Sequence, residues 1–125
     1  MKDIIISDTI EKRQDFPKHN RQKFIEQLFK NISSKPYDKM VVGDYLYMKF
    51  SVTTKLGHYR LVVIPRDTNI NKCEEFSIIL LRKKNSIGGR NIHKNDKDTQ
   101  RDIITRTMQF IQDLKNDNVK IYKVR

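Results

Sequence analysis

The chain has no tryptophan, one cysteine, three prolines and four glycines among its 125 residues. The lone thiol, Cys73, allows no disulfide within the chain and no cysteine-based zinc cluster. It lies in the polar stretch DTNINKCEE with no activating base beside it, and it reads as incidental. Long apolar runs are missing too. Ile4, Ile5 and Ile6 make too short a run for a signal peptide. Nothing approaches the ~18 apolar residues of a membrane span, so the expected setting is cytoplasmic, with no membrane partner. Catalytic signatures are equally scarce: there is no GxxxxGK[ST] loop, no HExxH or paired-histidine spacing, and no G-x-S-x-G. The acidic residues are scattered, which argues against a two-metal nuclease. Neither a metal nor a cofactor is expected.

What the chain does have is positive charge. Lys and Arg number 26 against 15 Asp and Glu, a formal net charge of +11. Such an excess opposes compactness by self-repulsion and attracts polyanions, nucleic acid foremost, although an acidic protein would also answer it. The hydrophobic fraction of 37% still supplies a core, and the length suits one domain spanning residues 1–125.

The pattern along the chain predicts mixed α and β structure. Ile4–Ile6 reads as a strand, and Ser7, Asp8 and Thr9 offer N-cap side chains for a helical segment at 10–14. Pro17 suits the first turn of a second helix over 18–33, where Phe24, Ile25, Leu28, Phe29 and Ile32 form one apolar stripe. The period then switches to two. Leu46, Met48, Phe50 and Val52 alternate with Tyr45, Tyr47, Lys49, Ser51 and Thr53. Residues 55–58 read as a hairpin turn, 59–64 as a strand stopped by Pro65, 66–74 as a polar loop, and 76–81 as a central strand. Asp98 and Thr99 offer caps for a last helix whose stripe is Ile103, Ile104, Met108, Ile111 and Leu114. Residues 116–118 break that helix before a short final strand at 119–124. Hairpin-connected strands with helices packed on them predict an α+β domain built on an antiparallel meander.

Candidate chemistry concentrates at 82–94, directly after the most hydrophobic strand. Arg82, Lys83, Lys84, Arg90 and Lys94 are cations suited to phosphate, Gly88-Gly89 gives a backbone that approaches closely, and His93 is the residue type for proton transfer near neutrality. A solvated basic loop accounts for the same composition. Arg60 shares a strand face with Val62 and Ile64, and Tyr59, Leu61 and Val63 share the other. Arg60 and Lys49 stand either on a solvent face or in a site. Tyr45, Tyr47 and Tyr59 are equally suited to base stacking and to cross-strand packing. His58, in a turn, and His19, at a helix start, read as structural or exposed. Without metal ligands, RNA is the nucleic acid whose cleavage such residues suit. Its 2′-hydroxyl attacks the adjacent phosphate, and a protein need supply only position, a base, an acid and positive charge.

Four pieces of the chain, in order, resemble the RelE/ParE toxin superfamily, in particular its HigB-like branch. They are PKHNRQKFIEQLFKNISSKP, GHYRLVVIP with its Y-R pair, FSIILLRKKN, and HKNDKDTQRDIITRTMQFIQDL. The stretch NSIGGRNI is an insertion relative to that pattern. The resemblance implies a single RelE-like toxin domain: a helix pair, a meander and a closing helix. It implies a ribosome-dependent mRNA endonuclease of a type II toxin–antitoxin pair, with mRNA, the ribosome and a cognate antitoxin as partners. It assigns His93 as proton shuttle and Arg60 and Arg82 as phosphate clamps. Lys49, Lys83, Lys84, Arg90 and Lys94 would bind substrate through their charge. Other readings fit the same residues: a basic RNA- or DNA-binding module without catalysis, a ParE-like gyrase inhibitor, or a protein-binding inhibitor from a phage or mobile element.

Overall fold

The computed structural model describes residues 1–30, 32, 36–84 and 100–125. In chain order its elements are β1 (Lys2–Ser7), α1 (Asp8–Glu11), α2 (Arg21–Lys30), β2 (Asp38–Val42), β3 (Tyr45–Thr54), β4 (Gly57–Pro65), a single 3-10 turn at Ile70–Lys72, β5 (Glu75–Lys83), α3 (Gln100–Lys115) and β6 (Val119–Val124). The strands form one open sheet in the order β2-β3-β4-β5-β1-β6. Four of its neighbouring pairs are antiparallel, and β1 runs parallel to β5. The α+β class expected from the sequence holds.

Two features depart from the expected meander. The first strand pairs in parallel with β5, Ile4 opposite Phe76, and sits inside the sheet. Ile4 and Ile6 are fully buried there, since an interior strand is covered by its neighbours as well as by helices. The second departure is β2, which pairs with β3 from Asp38–Lys49 to Val42–Tyr45. It is short and half exposed, so its apolar pattern is faint. Gly43 opens the two-residue turn between them at φ +60, a conformation that suits a residue without Cβ.

Each face of the sheet has its own core. On one, α1 and α2 pack Ile10, Phe24, Ile25, Leu28 and Phe29 against Ile4, Ile6, Phe50, Leu61, Val63 and Phe76. Rings reinforce this layer: Phe24 meets Tyr59 at 5.0 Å and Phe29 meets Phe76 at 5.3 Å between centroids. The stripe predicted for α2 is the one buried. On the other face α3 lies over β5 and β1, and its Ile103 and Phe110 meet Tyr47, Val62, Ile79 and Leu80. Here the predicted stripe is displaced: Ile104, Met108 and Leu114 are exposed, while Ile103, Thr107 and Phe110 face the sheet. Thr107 is tolerated in this core because its hydroxyl is satisfied by the Tyr47 hydroxyl at 2.7 Å and the Ile103 carbonyl at 2.7 Å.

A buried carboxylate joins α1, α2 and β6. Glu11 is 3% exposed. It accepts from the Tyr122 hydroxyl at 2.5 Å and pairs with Arg21 at 3.5 Å and Lys120 at 3.2 Å. Burial of a charge is costly unless it is paired in this way. Cys73 is buried and its thiol donates to the Glu75 carbonyl. Among the described residues, no helix is long and apolar enough to cross a membrane.

Candidate nucleic-acid interface

Alternation in three adjacent strands builds the site. The odd residues Lys49, Ser51 and Thr53 of β3 face the same side as His58, Arg60 and Val62 of β4, since Lys49 pairs with Val62, Ser51 with Arg60 and Thr53 with His58. Strict alternation in β5 would turn Arg82 away from them, because Phe76 and Ile78 belong to the core on the α2 side. A bulge intervenes. Val62 pairs with Leu80 and Val63 with Ile78, so Ile79 is an extra residue and the phase of the strand flips. Leu81 then enters the α2-side core, and Arg82 comes opposite Arg60. The Lys84 amide extends the pairing by donating to the His58 carbonyl at 2.7 Å.

The result is a grid on the α3 side of the sheet, beyond the apolar ground that α3 covers. One row is Thr53, His58 and Lys84; the next is Ser51, Arg60 and Arg82; Lys49 begins the third. Neighbouring strands stand ~4.8 Å apart, and same-face residues along a strand ~7 Å apart. Four cations and one histidine therefore share an area about the size of one nucleotide step or two.

Burial distinguishes this patch from an ordinary solvated surface. Arg60 is 4% exposed and Lys49 8%. The Tyr37 ring lies 5.9 Å from the Arg60 guanidinium, a cation–π contact that holds it from the side of β2. Asp38 reaches Lys49 at 3.6 Å. The Lys84 ammonium donates to the Ser51 hydroxyl at 2.5 Å. Burial, and then the nearby charge of Arg60, depress the pKa of Lys84 below the usual lysine value. The Thr53 hydroxyl meets Nδ1 of His58 at 2.9 Å.

The sequence-predicted residues divide three ways. Arg60, Arg82, Lys49 and Lys84 come together. Lys83 does not join them: alternation turns it to the opposite face, where its amide donates to Asp15 at 3.2 Å and its side chain approaches Gly57. Its side chain therefore stands apart from the other four cations expected to bind substrate or phosphate at this end of the sheet. Arg90, His93 and Lys94, with the insertion at 85–92, lie outside the described residues. Four residues of the patch were missed. Tyr37, Ser51 and Thr53 carry no local signal of a site. His58 read as a turn residue because the strand seemed to begin at Tyr59; it begins at Gly57, so His58 shares the period-two face of Arg60. The described residues hold no cluster of His, Cys, Asp and Glu able to bind a metal ion.

Chemically, the grid suits a phosphodiester. Two guanidiniums directly opposite each other can grip nonbridging oxygens bidentately, and partial burial strengthens their field. No family model, curated protein or solved structure matches the chain.

Proposed function

We propose that this protein is a ribosome-dependent mRNA endonuclease of the RelE/ParE type, the toxin of a type II toxin–antitoxin pair. The observation that carries the reading is the cross-strand pair Arg60–Arg82. Like charges directly opposite one another destabilise a sheet, and here one of them is almost wholly buried. A scissile phosphate is an anion of the size and charge that such a guanidinium pair grips bidentately. The strand–helix pair–meander order supports the RelE-like assignment. The basic composition supports an RNA target, and RNA carries its own nucleophile, the 2′-hydroxyl.

In this reading Arg60 and Arg82 clamp the phosphate and stabilise the charge that grows on it in the transition state. Lys49 and Lys84 add field at either end of the pair, and Arg90 and Lys94 are further candidates for the same service. The family resemblance suggests His93 as one candidate for proton transfer. The antitoxin would silence the protein by covering the cationic face.

Cleavage of a short mRNA on programmed bacterial ribosomes tests this. The wild type is expected to give new 5′ ends. Arg60→Gln and Arg82→Gln, each checked by thermal melting to be folded, should lower the cleavage rate on the order of 10²-fold. The charge-matched control Lys39→Gln, exposed on β2, should match wild type. RNA bound but left intact by the wild type would replace the endonuclease with a non-catalytic binding module. Intact RNA together with failed supercoiling would identify a gyrase inhibitor.

A further inference from the structure

Cleavage by 2′-hydroxyl attack needs a base and an acid within reach of one phosphate, and the row beside the arginine pair holds both residue types. We propose that His58 and Lys84 are the proton-transfer pair of the reaction, His58 as general base and Lys84 as general acid. The inference rests on the endonuclease reading and assigns its chemistry to residues that neither composition nor the family pattern singled out for that role.

The geometry is specific. His58 and Lys84 are cross-strand neighbours, joined by the amide-to-carbonyl bond at 2.7 Å. They stand one same-face step, ~7 Å, from Arg60 and Arg82, which is the reach of side chains of this length around a phosphate held by the arginines. His58 is exposed, so a substrate can approach its ring. Thr53 holds Nδ1 at 2.9 Å. In the tautomer that donates from Nδ1 to that hydroxyl, the lone pair stands on Nε2. The bond holds the ring's orientation, as an orienting partner does in other histidine bases, and is compatible with the tautomer that the step requires.

The step balances within the substrate and these two side chains. Nε2 of His58 takes the proton of the 2′-hydroxyl as O2′ forms its bond to phosphorus. The P–O5′ bond breaks, and the Lys84 ammonium gives a proton to the departing 5′-oxygen. The products are a 2′,3′-cyclic phosphate and a 5′-hydroxyl. His58 leaves protonated and Lys84 neutral, and exchange with water resets both. Burial and the charge of Arg60 make the Lys84 ammonium a readier donor than an ordinary lysine.

The test uses the same programmed ribosomes with two additions. His58→Ala is expected to lower cleavage at least on the order of 10²-fold, to keep mRNA binding, and to recover in part when imidazole is added to the buffer. Arg60→Gln should show no imidazole rescue. Lys84→Gln should fail on the natural substrate but recover on one whose scissile 5′-oxygen is replaced by sulfur, because a thiolate departs without a proton. His58→Ala should stay slow on that substrate. Full activity of His58→Ala, or a loss that tracks RNA binding and resists imidazole, would overturn the assignment. Loss in His93→Ala with His58→Ala intact would return the role to His93. Either outcome leaves the endonuclease standing, whereas a wild type that cuts nothing removes the endonuclease itself.

Discussion

Tyr122 sets a phenol against a carboxylate that is already buried, and its charge state is thereby constrained. Burial comes first, and the bond to Glu11 second, in pushing its pKa up from 10.0 to about 12. Ionisation would place two anions in contact. The folded pKa lies above the unfolded one, so this contribution to stability is complete below about pH 10 and fades as the pH climbs towards about 12. Urea midpoints taken on either side of pH 10 should fall more steeply for wild type than for Tyr122→Phe; parallel curves would refute the link. Single residues were unevenly legible. Arg60 was placed on its correct face by counting alternate positions, because strand geometry is local. Glu11, Tyr122 and Tyr37 gave no warning, because their partners are distant in sequence and burial of a polar group depends on what covers it.

At the scale of the element, α3 carries the clearest disagreement between pattern and packing. Of the predicted stripe Ile103, Ile104, Met108, Ile111 and Leu114, Ile103 alone is buried, and it shares its face with Thr107 and Phe110. Thr107 looks polar in sequence and is core in fact, once Tyr47 supplies a hydrogen-bond partner. Phe110→Ala is therefore expected to cost about 3 kcal/mol. Met108→Ala, at a side chain 66% exposed, should stay within about 0.5 kcal/mol. Chemical denaturation of both variants separates the two faces; equal losses would mean that the predicted stripe is the packed one after all. β5 teaches a related lesson. Counted by twos from Phe76, Arg82 falls on the helix-pair face; the unpaired Ile79 reverses it. Nothing in FSIILLRKK marks the bulge, since every residue near it is apolar.

For the molecule as a whole, the excess of cations is the dominant long-range property, and the grid is where burial concentrates it. Binding to single-stranded RNA should weaken linearly in log–log plots against salt. Arg60→Gln and Arg82→Gln should each flatten the slope by about 0.7, the share of one neutralised phosphate. Lys39→Gln should leave the slope alone. Fluorescence anisotropy at several salt concentrations measures it, and unchanged slopes in the arginine variants would place the RNA elsewhere on the surface. The class of the fold was readable because helix and strand periods are local signals. The parallel seam between β1 and β5 was not, because no local pattern states which distant strand a strand will join.

That seam bears on the order of assembly. β2, β3, β4 and β5 are joined by neighbours in sequence and can zip up as a growing meander. The opening strand has no such neighbour: Asp3 waits for Glu75, and Lys2 waits for Val124. Contacts of that span are slow to close. The residues of β1 are thus among the last of the sheet to find their places, and the α3-side core, which draws on β1 and α3 together, stays incomplete until two segments about a hundred residues apart have both been made.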